Sequence, residues 1–255
     1  MRVRSAEAGE GAGWVRVLNV DPDLGVGLDQ PSMDEASAAL LARLVEVEWV
    51  SEKREWAPTP PPGHLGLLIV DGLILREVRL LGTPSAEVLG QGDLLWPWDI
   101  DGDAGVPFGA EIRWTVVSPV TVAALDAAFL RRATRWPEVI AALVGRAVAR
   151  AKSLAVQDAI TNLKHVETRL LVEFWHLAER WGRVGAERIS LVMPVTHEIL
   201  AKLVGATRPS VTTALGRLAE RELLVRDAQG VWLLSPDIPQ ALESISSQPE
   251  KTLSG

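Results

Sequence analysis

Between Pro194 and Leu224 the chain gathers side chains suited to holding phosphate or reading a base edge: Thr196, Thr207, Arg208, Ser210 and Arg217. Threonine and serine hydroxyls donate to phosphate oxygens, and a guanidinium adds a charged fork that fits a phosphate or a guanine edge. Other constellations stay incomplete. His197-Glu198 begins like a zinc-protease helix, but that motif needs histidine at 201, where the chain has Ala201. His64, His165, His176 and His197 are scattered and read as ordinary histidines. Asp99, Asp101 and Asp103 alternate like calcium ligands, yet the loop's twelfth position is Ala110 instead of a bidentate glutamate, so a solvated loop is expected. Trp96 and Trp98, either side of Pro97, could line a ligand pocket; at least one is expected to fill a core. With no cysteine, iron–sulfur clusters, thiolate haem ligation, disulfides and cysteine nucleophiles are excluded. No Gly-x-Ser-x-Gly, phosphate loop or dinucleotide fingerprint occurs. We expect no enzyme, no metal and no cofactor.

The phosphate-seeking residues need elements to present them. Thr196 is placed to cap a helix whose Leu200, Leu203 and Val204 face inward. Gly205 then permits a reversal, and Thr207 caps a second helix with Val211, Leu215 and Leu218 at i, i+4 and i+7. Projection at about 100° per residue turns Pro209, Thr213 and Gly216 to the opposite side, with Thr212 and Arg217 at its edges. Leu223–Arg226, the turn Asp227-Ala-Gln-Gly230 and Val231–Leu234 read as a hairpin. Helix-turn-helix plus hairpin is a winged helix, which holds its second helix ready for a DNA major groove.

Upstream, residues 1–13 are polar and glycine-rich, and a frayed end is expected. Ser32 and Glu35 form a capping-box pattern, continued at helical spacing by Ala36, Ala39, Leu40, Arg43 and Leu44; Val45, Val47 and Trp49 then alternate as a strand. From Leu65 to Leu125, short apolar runs separated by turn residues predict an antiparallel β-roll, barrel or sandwich, with a tight hairpin at Asp71-Gly72. From Asp126, apolar residues recur at three- and four-residue steps for nearly forty residues. Pro137 sits in this helix's first turn. Its stripe, represented by Ile140, Leu143, Ala147 and Leu154, predicts pairing with a second copy, or else packing on its own β-domain. A further helix runs from Val166 to Trp181, with Gly182 placed to end it.

Charge is divided unevenly. Residues 1–125 carry 9 Lys+Arg against 19 Asp+Glu, residues 126–235 carry 16 against 11, and the last twenty carry 1 against 3. The local nets of −10, +5 and −2 give the whole-chain −7. Electrostatic fields are screened over about 10 Å, so the second half can face phosphates while the first does not. The N-terminus has no apolar run after its two arginines, and no window approaches the roughly 18 apolar residues of a membrane span. No membrane partner and a cytoplasmic location are expected.

The stretch Pro194-Val-Thr-His-Glu-Ile-Leu-Ala-Lys-Leu-Val-Gly-Ala-Thr-Arg-Pro-Ser-Val-Thr-Thr-Ala-Leu-Gly-Arg-Leu-Ala-Glu-Arg-Glu-Leu-Leu resembles the DNA-binding segment of the catabolite activator and fumarate–nitrate regulator (Crp/Fnr) superfamily. The resemblance implies an α+β chain: an N-terminal antiparallel β-roll (cyclic-nucleotide-binding-like), a long dimerisation helix and a C-terminal winged helix-turn-helix. Mapped here, these are a flexible start (1–13), a roll (14–125), the helix (126–165), the DNA-binding domain (166–236) and a flexible tail (237–255). It further implies a homodimeric regulator on a two-fold-symmetric double-stranded DNA operator, with Thr196, Thr207, Arg208, Ser210, Thr212, Thr213 and Arg217 at the DNA and an unidentified small-molecule effector as a further partner. Arg208 matches the family's first guanine-reading arginine. Pro209 and Thr213 stand where the family usually has Glu and a second Arg, leaving threonine methyls that suit thymine. The arginine that holds a cyclic phosphate is missing after Gly92, and Asp99, Asp101 and Asp103 would repel one, so no gating by cAMP is expected. The alternative is an effector-binding or scaffold protein whose winged helix contacts protein.

Overall fold

The computed structural model describes residues 13–47, 54–58, 63–81, 83–97 and 111–246. The chain divides into two compact units, 1–153 and 154–255, and the division falls inside a long helix.

In the first unit, β1 (Trp14–Arg16), β2 (Leu41–Glu46), β3 (Glu55–Trp56), β4 (Gly66–Leu80), β5 (Thr83–Gly90), β6 (Leu94–Leu95) and β7 (Glu111–Leu125) form one antiparallel sheet in the order β1-β2-β7-β4-β5. β3 adds to β7 and β6 to β4. Alternate residues of the two long strands enter different cores. Leu68, Ala123 and Leu125 join Val17, Leu40, Phe129 and Trp136, whereas Leu67, Ile69, Val122 and Ala124 join Ile74, Leu89 and Trp114. A sheet covered on both faces reads as continuous apolar runs, which is how Leu65–Val70 looks in the sequence. Trp96 is buried in the first of these cores; Trp98 and the Asp99–Asp103 loop lie outside the described residues.

Two local expectations are corrected. Asp71-Gly72 is not a hairpin turn: β4 runs straight through it, with register shifts against β7 between Ile69 and Ile74. Gly72 has φ +92°, and a Cβ there would run into the Pro119 backbone, so the glycine serves a bulge inside a strand. The hairpin instead turns at the end of β4 and pairs Leu80 with Thr83 in β5. The other correction concerns α2, which spans Gln30–Ala39 and is capped by Asp29, whose carboxylate accepts from the Ser32 N–H at 2.9 Å. Arg43 and Leu44 leave that helix because their backbone pairs with β1 on one side and β7 on the other. Ladder pairing overrides helical spacing there.

Between β1 and α2 lies the single turn α1 (Val17–Val20). After β7, Asp126 caps a short helix, α3 (Ala127–Ala133), and the chain breaks before α4 (Pro137–Asn162). The expected single helix from 126 is therefore two. Its expected self-pairing stripe is largely used within the chain: Leu143 is 1% exposed, and Ile140 and Ala147 pack against the same core. Leu154 is exposed, and the large apolar residues that α4 leaves uncovered are Val144, Val148, Leu154 and Val156. Arg150 pins α4 to the sheet by bonding Glu87 at 2.7 Å, and Glu87 also accepts from Arg76 at 3.0 Å. Arg146 holds Asp21 at 2.7 Å.

In the second unit α5 (Val166–Trp181) is followed by β8 (Arg183–Val184), β9 (Ile189–Leu191), α6 (His197–Leu203), α7 (Arg208–Glu220), β10 (Leu224–Arg226), β11 (Trp232–Leu234) and α8 (Ile238–Ser246). The four strands form an antiparallel sheet in the order β10-β11-β9-β8. Helix α5 packs Phe174 onto Trp232 with ring centroids 4.7 Å apart.

Candidate nucleic-acid interface

Both helices of the turn motif begin with a threonine cap. Thr196 Oγ1 accepts from the Ile199 N–H at 3.2 Å and Thr207 Oγ1 from the Ser210 N–H at 3.3 Å. Pro209 stands in the first turn of α7, where its missing N–H leaves no helix bond unmade. Gly205 between the helices has φ +59°, and a Cβ there would meet only ordinary contacts, so backbone conformation and not space explains the glycine. Val211, Ala214, Leu215 and Leu218 are buried. Arg208, Pro209, Ser210, Thr212, Thr213, Gly216 and Arg217 are exposed, and no described residue lies within 4 Å of where a Gly216 Cβ would be.

These exposed side chains are not equally free. Thr207 is occupied as a cap and also bonds the Ser210 hydroxyl at 2.9 Å. Arg217 donates to Glu167 of α5 at 2.9 Å, and Arg221 approaches the same carboxylate at 3.9 Å. Arg208 makes no ion pair among the described residues, which leaves its fork available. Thr212 donates to the Arg208 carbonyl at 3.0 Å and meets His197 Nδ1 at 2.9 Å. The hairpin after α7 turns on Asp227, whose carboxylate accepts from the N–H groups of Gln229 and Val231, with Gly230 at φ +84°.

Residues 168–238 match the Crp-like helix-turn-helix domain family. Similar solved structures include a CooA mutant from Carboxydothermus hydrogenoformans, with 19% identity, TM-score 0.59, and 81% of this chain and 88% of that one covered. FixK2 from Bradyrhizobium japonicum gives 15%, 0.58, 82% and 98%. A CRP/FNR-family transcriptional regulator from Thermus thermophilus gives 16%, 0.52, 81% and 99%. The chain has the Crp/Fnr regulator fold. No curated protein matches the sequence. That fold is an α+β chain with an N-terminal sheet and C-terminal helices.

The Crp-like domain holds its turn by groups that precede the helix-turn-helix segment in the chain. Gln157 of α4 donates to the Leu203 carbonyl at 2.7 Å. Arg169 of α5 donates to the carbonyls of Val204 and Gly205 at 3.1 Å each, and to Leu163. These donors satisfy carbonyls that the end of α6 leaves unpaired. One turn beyond Arg169, Glu173 is buried and bonded to Gln157, with its Oε2 unpartnered among the described residues; burial pushes its carboxyl up to about 7. Glu173 was detectable in the sequence, since it falls between Leu170 and Leu177 on the apolar face of α5, where a carboxylate is out of place. Gln157, Arg169 and His197 carry no such sign, because their partners are backbone atoms or distant side chains.

Among the described residues, no group of three or more metal-ligating side chains forms, and no helix is long and apolar enough to cross a membrane.

Proposed function

We propose that this chain is a cytoplasmic, non-enzymatic transcription regulator that binds a two-fold-symmetric DNA operator as a homodimer. The observation that carries this reading is the exposed ridge of α7, with Arg208, which makes no ion pair among the described residues, at its start and Thr212, Thr213 and Gly216 along it. That ridge is backed by four buried apolar residues and lies inside the Crp-like match. A helix so presented fits the major groove, where Arg208 reaches a guanine edge bidentately and Thr213 faces the bases. Thr196, Thr207 and Ser210, at the two helix starts, lie against the phosphates, and Arg217 joins them once released from Glu167. Each subunit reads one half-site, and the half-sites lie about one helical turn apart.

The second copy docks along α4, on the face opposite the one already packed. Ala141, Val144, Val148, Ala151 and Ala155 alternate at three and four residues there, and Val144 and Val148 are 52% and 51% exposed. The N-terminal sheet is a β-roll that does not respond to cAMP, since the arginine the resemblance calls for is missing. A gel-shift titration with the promoter of the chain's own gene against a scrambled duplex tests the reading. Tighter binding to the promoter supports it; equal binding favours a module that contacts protein. Calorimetry with cAMP is expected to show no saturable heat, and saturation at micromolar concentration would overturn that part.

A further inference from the structure

The hydroxyl of Thr212 carries one hydrogen, and that hydrogen goes to the Arg208 carbonyl at 3.0 Å. With that hydrogen on the carbonyl, the 2.9 Å contact with His197 Nδ1 is made in the tautomer that protonates Nδ1, with Nδ1–H donating to Thr212 Oγ1. Two consequences follow for the exposed side of α7. Thr212 cannot donate to a base or a phosphate without losing a bond it already has. And its side chain is fixed: threonine in a helix divides between two χ1 rotamers, because either lets Oγ1 reach a carbonyl of the preceding turn. A bond from the neighbouring helix selects one of them and fixes where the methyl points. Thr213, one residue on, has no such tie among the described residues and keeps a hydroxyl free to donate.

We propose that His197 is a positioning residue of the DNA interface: by holding the Thr212 hydroxyl it makes Thr212 an apolar, thymine-methyl-reading contact, leaving hydrogen-bond readout to Arg208 and Thr213. This rests on the DNA-binding reading above. The pairing of roles follows from groove chemistry, in which only thymine offers a methyl at the major-groove edge.

The test uses the full chain and half-sites enriched from a random-sequence duplex library. In duplexes of the enriched sequence, thymines are replaced one at a time by deoxyuracil, which removes only the methyl. One such position per half-site is expected to weaken wild-type binding about fourfold, the worth of one buried methyl group. Thr212→Ser, which keeps the hydroxyl bonds and loses the methyl, abolishes that penalty. Thr212→Val, which has a methyl in either rotamer, retains it. His197→Ala shrinks the penalty in the wild-type background but not beside Thr212→Val. His197→Asn, whose amide nitrogen occupies the place of Nδ1, restores it, and His197→Gln does not. A purely structural role for His197 would alter stability and all DNA binding together without moving the thymine-to-uracil ratio. The proposal is overturned if no thymine shows the penalty, if Thr212→Val loses it, or if His197→Ala leaves it unchanged. Failure of the wild type to enrich any duplex would instead reject DNA binding itself, and this proposal with it.

Discussion

Glu173 is raised from 4.5 to about 7 by burial, so the folded protein binds its proton more tightly than the unfolded chain does. A carboxyl of that kind contributes stability below the unfolded chain's titration near 4.5, and the contribution is lost as pH climbs toward about 7. At ~1.4 kcal/mol per unit the loss is on the order of 3 kcal/mol. Glu173→Gln keeps the bond to Gln157 without a titrating group. It is expected to flatten the difference in urea midpoint between pH 5 and pH 8, and an unchanged difference would show that Glu173 is not its source. Arg208 offers a second measurement. Arg208→Ala should cost about 1–3 kcal/mol on an enriched site and relax preference at one base pair. An equal loss on random DNA would make it a phosphate contact.

Among the helices, α7 depends on its cap. Thr207→Ala removes the oxygen that holds the Ser210 N–H and should lower stability by about 1 kcal/mol in urea unfolding. Because the cap also orients the first turn, DNA binding should weaken on specific and random duplexes alike. Within the sheet, Gly72 is the sensitive position. Gly72→Ala places a Cβ into the Pro119 backbone at a φ that other residues rarely adopt, and a loss of about 1–3 kcal/mol is expected from strain alone. A Gly72→Ala protein as stable as the wild type would mean that β4 and β7 can separate there at little cost.

For the molecule as a whole, the uncovered face of α4 is decisive. Val148→Glu leaves the packed side with Leu143 untouched and puts a charge on the exposed side. Sedimentation is expected to give twice the 27.6 kDa chain mass for the wild type and the chain mass for the variant. A wild-type mass of one chain at micromolar concentration would remove the dimer from the proposal. The charge division makes a parallel prediction. If the +5 of residues 126–235 is what meets DNA, affinity should fall steeply with salt, as counterions released from phosphates require.

What the sequence determined by itself is local or periodic. The caps at Thr196 and Thr207, the reversal at Gly205 and the spacing of Val211, Leu215 and Leu218 were legible because each depends on neighbours within one or two turns. The order of sheet, long helix and helix-turn-helix was legible for the same reason. Tertiary structure decided what depends on distant partners. Periodicity marks Ile140, Leu143 and Ala147 as apolar without saying whether the chain's own core or a second copy covers them, and the core took them. Asp71-Gly72 has turn chemistry, but the Pro119 backbone beside it makes a bulge. The tie between His197 and Thr212 joins residues fifteen apart that meet only because the turn at Gly205 brings two helices together.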